Sequence, residues 1–334
     1  MTGDRGAGDF GGGALSADGD FSESDTYPWP SVVHKQSNPG AQCAATKTPM
    51  LLSTDNCHLR PEPYRPLLTD AARPATFNVA SVDENGQVRE IPVAGEHALT
   101  LYVDKQELLT LMTLGGAPEA LAIGYLRNQR LVHSIDEIVS VQVDWECNAC
   151  AIKTRDGLAD LEAKTAKRTK TTGCGQGTVF GDLMEEIDSV KLPAGATLSQ
   201  AALYDLLDRV RVHETIYKQA GAVHGCALAT NKGDTAEILM FVEDVGRHNA
   251  VDAIAGRMWL DRLEGGDKIF YTTGRLTSEM VIKAAQMEIP FLVSRSGLTQ
   301  MGYDIAQKVG LTMIGRAMNK HYLLFTGAQR FLRA

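Results

Sequence analysis

The reactive chemistry open to this chain rests on one isolated cysteine and three glycine–arginine turns. Cys174 stands in KRTKTTGCGQGT (residues 167–178), behind Lys167, Arg168 and Lys170 and among Gly173, Gly175 and Gly177. Neighbouring cations favour the thiolate over the thiol, and glycines let backbone N–H groups approach the sulfur unobstructed. A glycine-rich loop is also mobile, so the sulfur atom could travel between two partners. The same residues also describe a flexible loop whose cysteine is incidental, and the loop alone does not choose between the two.

The turns are EDVGRHN, with Gly246, Arg247, His248 and Asn249; TTGRLTSE, with Gly274, Arg275, Thr277 and Ser278; and SRSGLT, with Ser294, Arg295, Ser296, Gly297 and Thr299. Each follows an apolar run and precedes a helical pattern. A helix N-terminus beside a fork-shaped guanidinium suits phosphate or pyrophosphate. One such turn alone reads equally as a solvated arginine or a local ion pair. Three on one sheet edge point to a large polyanionic ligand. His248 reads either as a ligand contact or as a satisfied interior histidine, whereas His224 and Cys226, in AGAVHGCALA, read as structural. Cys147 and Cys150 form a C-x-x-C with zinc spacing, but no second pair of ligands accompanies them, which favours a hairpin turn carrying two free thiols. The H-x-E and P-C-x-x-C pattern of the zinc deaminases is absent: Gly225 and Cys226 follow His224.

These residues must be positioned by a chain of 334 residues that is 44% hydrophobic and 22% charged, an ordinary globular composition. A net charge of −8 gives no overall positive field for nucleic acid or anionic lipid, so an anion site must be local. Apolar runs such as IFYTTG fall far short of the roughly 20 residues that span a bilayer, and the N-terminus lacks signal-peptide order. The expectation is a cytoplasmic protein with no membrane and no nucleic-acid partner, its cysteines reduced.

Residues 1–75 read as a disordered tail, broken by glycine and proline, with Cys43 and Cys57 as bystanders. Residues 76–165 predict a small α+β domain: a hairpin around Asn85-Gly86, a helix opening at Pro118, then strand, turn and strand. Residues 166–180 form the mobile cysteine loop. Residues 181–334 predict an α/β/α domain that begins with a long helix capped by Ser199 and stopped by Gly221. Apolar strands alternating with helices follow, giving a largely parallel sheet with ligands at the strand C-termini.

Taken together, EDVGRHNAVD, TTGRLTSEMVIKAA, IPFLVSRSGLT, GLTMIGRAMNKHYLLFTGAQR and the T-G-C-G loop resemble, in their order, the FdhD family, the formate dehydrogenase accessory sulfurtransferases. The resemblance covers residues 75–334. It implies a larger domain with the three-layer cytidine-deaminase-like α/β/α fold, without the deaminase zinc residues, beside the small N-terminal domain. It implies a homodimer that takes sulfur from a cysteine desulfurase as a persulfide. The sulfur then passes to the molybdenum or tungsten bis-pterin guanine dinucleotide cofactor, Mo-bis(molybdopterin guanine dinucleotide), held as a client before its insertion into formate dehydrogenase. The persulfide-forming cysteine carries onto Cys174. The cofactor-contact segment carries onto Tyr322, Leu323, Leu324, Phe325, Thr326 and Gly327, beside Gly246, Arg247, His248, Gly274, Arg275, Ser278 and Arg295 as the anion contacts. The family loop is usually C-x-x-C, and here Gly177 replaces the second cysteine; Cys147 or Cys150 could take its place, or the second thiol is dispensable. A non-catalytic chaperone that binds the cofactor without using the thiol is the competing reading.

Overall fold

A computed structural model describes residues 64–158, 187, 190, 192–213 and 215–333. The predicted tail therefore lies outside the described residues up to residue 63, and the cysteine loop lies wholly outside them.

The boundary set at residue 75 moves towards the N-terminus. Strand β1 (Leu67–Leu68) pairs in parallel with β6 (Ile138–Asp144). The indole of Trp145 donates to the Ala71 carbonyl at 2.6 Å, and the Ala71 N–H donates to the Glu119 carboxylate at 2.8 Å. Prolines on both sides of the pair hid it in the sequence, because two residues are too few to show a period.

The Asn85-Gly86 turn joins β2 (Thr76–Val82) and β3 (Val88–Ala94) as a separate two-stranded sheet, with Gly86 at φ +76° and Asp83 accepting the N–H groups of Asn85 and Gln87. Next come β4 (His97–Val103), β5 (Gln106–Thr113), α1 (Pro118–Asn128), β6 and β7 (Ala149–Thr154). Together with β1 they form a five-stranded sheet in the order β1-β6-β7-β4-β5. Pro118 opens α1, where a missing N–H costs nothing.

The C-terminal part contains β8 (Leu198–Ser199), α2 (Gln200–His213), α3 (Ile216–Ala220), β9 (His224–Thr230), β10 (Ile238–Asp244), α4 (Arg247–Leu260), β11 (Lys268–Thr272) and α5 (Ser278–Gln286). It continues with β12 (Phe291–Ser294), α6 (Gln300–Val309), β13 (Thr312–Met318), β14 (His321–Leu324) and β15 (Phe331–Leu332). Six strands form a sheet in the order β10-β9-β11-β12-β13-β14. The central β11, β12 and β13 are parallel, whereas β9 runs antiparallel to both of its neighbours.

Side chains alternate across this sheet with period two. Ala227, Ala229, Ile269, Tyr271, Phe291 and Val293 face α2 and its Leu203, Leu206 and Leu207. Leu228, Phe270, Leu292 and Met313 face Ile254, Met280, Ala284 and Ile305 of α4, α5 and α6. Helices on both faces bury β9, β11 and β12 almost entirely, which explains their continuous apolar runs.

The long helix predicted over 199–221 is two helices. Ser199 caps the first, accepting the Ala202 N–H at 3.0 Å, and Gly221 (φ +63°) ends the second. Between them the Glu243 carboxylate accepts the N–H groups of Thr215, Ile216 and Tyr217 and the Thr215 hydroxyl. A carboxylate at a helix N-terminus is favoured by the orphan donors and by the dipole, so it starts α3 afresh.

The small sheet is joined to the larger one through α1 and α4, which cross at Gly124 and Gly256. A Cβ on Gly124 would stand 1.7 Å from the Asp252 carbonyl oxygen, and one on Gly256 would stand 1.9 Å from that of Ala120. Only glycine allows these backbones to come so near. Arg127 donates to the Ala255 carbonyl (2.8 Å) and stacks on Trp259, and Asn128 donates to Asp252 (2.7 Å).

Candidate functional site

The C-terminal ends of β10, β11 and β12 and the first residue of β9 share one edge of the six-stranded sheet, because β9 is antiparallel. Three connections leave this edge for α4, α5 and α6.

The first is fixed from below by Asp244. Its Oδ1 accepts from the Gly246 N–H (3.0 Å) and the Asn249 amide (2.8 Å), and its Oδ2 from the Thr113 hydroxyl (2.5 Å) and the Leu114 N–H (3.1 Å). Burial nevertheless pushes this carboxyl up from its ordinary range. Asn249 braces Asp244 and donates to the Met112 carbonyl (2.6 Å), and the N-cap of α4 is Gly246. Asp244 thereby locks β5 of the small sheet to the start of α4.

The second and third connections are zipped together. Leu276 and Thr299 donate to the carbonyls of Gly297 and Leu276, and the Ser294 hydroxyl donates to the Gly274 carbonyl at 2.7 Å. Gly274 leaves room for Arg247, whose Cδ would lie 2.8 Å from a Cβ at that position.

The edge gathers the predicted cations. Arg247 is only 6% exposed, and its Nε is buried without a hydrogen-bond partner among the described residues. Arg275 is exposed, Ser278 is half-buried at the first turn of α5, and the half-buried Arg295 lies 4.8 Å above the Tyr217 ring. His224 joins them, with its Nδ1 3.4 Å from the Thr273 hydroxyl. Burial lowers its pKa from the ordinary histidine value, and Arg247, Arg295 and Arg275 lower it further. The sequence reading left His224 as structural; the apolar run behind it was the sign of a strand that begins at this edge.

Beneath the arginines runs a buried polar chain. His248 is 2% exposed, and burial, with Lys283 and Arg247 adding, pushes its pKa down to about 2, so it is neutral. Its Nε2 lies 3.4 Å from Glu279 without hydrogen-bond geometry, hence this contact is no ion pair. Lys283, fully buried, donates to Asp252 at 2.8 Å. His248 is interior by burial, but both of its ring nitrogens lack a hydrogen-bond partner among the described residues, so it is not a satisfied interior histidine.

The C-terminal segment is divided. Tyr322 packs on Tyr204 and Phe331 and donates to Gln200 (3.2 Å), while Leu323 and Leu324 pair with Gly315 and Ile314. Phe325 packs over Gly315. Thr326 bridges the Leu311 carbonyl and the Met313 N–H, and Gly327, at φ +73°, leaves no room for a Cβ beside Thr312. Thr326 and Gly327 thus sit at the start of β13, the sheet edge opposite to the arginines. Tyr322 and Leu323 stand nearer the arginine edge.

Cys174, Cys43 and Cys57 lie outside the described residues. Cys147 is exposed on the β6–β7 turn, and Cys150 and Cys226 are fully buried. Burial raises all three thiols, Cys226 to about 12. Among the described residues no helix is long and apolar enough to cross a membrane.

Two coupled sheets, with a cationic strand-end edge at the start of three helices, define an α/β protein. The sequence profile of the FdhD/NarQ family matches residues 94–332, and the chain belongs to that family. It is 26% identical to the sulfur carrier protein FdhD of Wolinella succinogenes over 71% of this chain and 82% of that one. It is 29% identical to its namesake in Listeria innocua, over 74% and 95%. A crystal structure described as a putative formate dehydrogenase accessory protein, from Desulfotalea psychrophila, superposes with a TM-score of 0.61 at 25% identity, covering 78% of this chain and all of that one.

Proposed function

We propose that this protein is a sulfur carrier for the maturation of formate dehydrogenase, with Cys174 as the persulfide-bearing residue. The Cys174 thiolate attacks the terminal sulfur of a desulfurase persulfide; a new S–S bond forms, the old one breaks, and the desulfurase cysteine leaves as its thiolate. In delivery to the client cofactor, the bis-pterin guanine dinucleotide, the reduced metal of that cofactor would supply the electron pair that forms the new bond to the terminal sulfur, the Cys174 S–S bond would break, and Cys174 would leave as its thiolate. The protein works in the cytoplasm as a homodimer, with the cysteine desulfurase and formate dehydrogenase as partners, and its larger domain is of the cytidine-deaminase-like kind.

The observation that carries this reading is the strand-end edge: Arg247, with a buried and unpartnered Nε, beside Arg275 and Arg295, in a chain similar to proteins named as sulfur carriers. A cofactor with two guanine dinucleotides presents two pyrophosphates, the chemistry that guanidinium forks at helix starts match. Mass spectrometry after loading with a cysteine desulfurase and cysteine should find one persulfide, on Cys174. Full loading of Cys174→Ala at another cysteine overturns the assignment.

Arg247→Ala and Arg275→Ala should each weaken guanosine diphosphate binding by about 10- to 100-fold, the equivalent of roughly 1.5–3 kcal/mol for a charged hydrogen-bond partner. Isothermal titration measures this, and unchanged affinity in both variants counts against a pyrophosphate role.

A further inference from the structure

We propose that His224 is a fourth ligand-facing group of the strand-end site, taking up a proton when a pyrophosphate-bearing ligand binds and donating from Nε2 to that ligand. The inference rests on the reading of this edge as an anion site and adds to it a residue and a proton.

His224 stands where β9 enters the sheet at this edge, opposite Asp244 in the β9–β10 ladder. Its imidazole is half-buried, and Nδ1 meets the Thr273 hydroxyl at 3.4 Å, while that oxygen also accepts the Gly225 N–H at 3.0 Å. A hydroxyl can donate to a neutral Nδ1, and its remaining lone pair can accept from a protonated one, so both states of His224 are satisfied on this side. Nε2 makes no hydrogen bond among the described residues and belongs to a half-buried ring, whereas both ring nitrogens of His248 are fully buried and without partners there.

The groups around it come from every neighbouring element. Arg247 and His248 begin α4, Arg275 follows β11, Arg295 follows β12, and Glu279 and Lys283 lie on α5. The acidic groups are turned away. Asp244 is held by four donors, Glu243 caps α3, and Glu279 faces Lys283. Among the described residues the charges acting on His224 are those of Arg247, Arg295 and Arg275, which favour its neutral form. A bound pyrophosphate reverses the local field and favours the imidazolium, as an adjacent opposite charge does. His248 lies deeper, with Lys283 against it, and stays neutral throughout.

Titration calorimetry of the full-length protein with guanosine diphosphate, at pH 7 in two buffers of different ionisation heat, measures the proton taken up. The wild type should gain between about 0.3 and 1 proton per nucleotide, and its affinity should rise by about 3- to 10-fold from pH 7.5 to pH 6 relative to His224→Gln. His224→Gln should bind at pH 7.5 with that proton uptake gone. Uptake equal in the two proteins, or none in the wild type, overturns the role of His224 and leaves the anion site standing. Failure of the wild type to bind both guanosine diphosphate and inorganic pyrophosphate overturns the site itself.

Discussion

Cys174→Ala, expressed in a strain lacking this protein, should leave formate dehydrogenase at the activity of the deletion strain. The same variant should bind guanosine diphosphate as tightly as the wild type, since the arginines are untouched. Sulfur transfer requires a thiolate, and each of the described cysteines has its thiol raised by desolvation. Cys150 is fully buried in β7, and Cys226 is fully buried between β10 and β11. A buried thiol resists ionisation because the low-dielectric interior disfavours its charge. Cys147 is exposed, but partial desolvation and its Asp144 neighbour raise its thiol as well. The structure thus removes Cys150 as a stand-in for the second loop cysteine and leaves Cys147 poorly suited. Transfer through Cys174 alone is the proposal that this variant tests. Retained formate dehydrogenase activity in Cys174→Ala would favour a chaperone that holds cofactor without carrying sulfur.

Gly124→Ala should lower the thermal midpoint by on the order of 6–12 °C, read by scanning fluorimetry. The added Cβ would lie 1.7 Å from the backbone oxygen of Asp252, and backbone cannot rotate away as a side chain can. The two helices must separate by more than 1 Å, and overpacking of this severity costs about 3 kcal/mol or more. Separation would also loosen Asn128 from Asp252 and shift α4, whose first residue is Arg247. Gly116→Ala, which meets no atom within 4 Å, should be near neutral. Equal midpoints for the two variants would mean that the crossing is not as close as described.

Much of the architecture was legible because its signals are local. The Asn85-Gly86 hairpin depends on one residue pair suited to positive φ, Pro118 at a helix start depends on its missing N–H, and the strand–helix alternation after β10 depends on a change of period. Strand β9 was missed: its run of buried residues shows no alternation, since both its faces are covered. The break between α2 and α3 was missed because its cause is Glu243, 26–28 residues further along the chain.

The sequence by itself determined the types and order of the reactive groups. Cys174 has its cationic, glycine-rich setting whatever the rest of the chain does, and Arg247, Arg275 and Arg295 each follow a strand and precede a helix. Tertiary structure alone decided which groups share a surface. An antiparallel β9 brings His224 to the arginine edge, burial holds His248 neutral, and strand pairing with β13 carries Thr326 and Gly327 to the opposite edge. Residue type fixes what a group can do, but charge, burial and strand direction fix whether a ligand meets it, and those depend on residues far away in the chain.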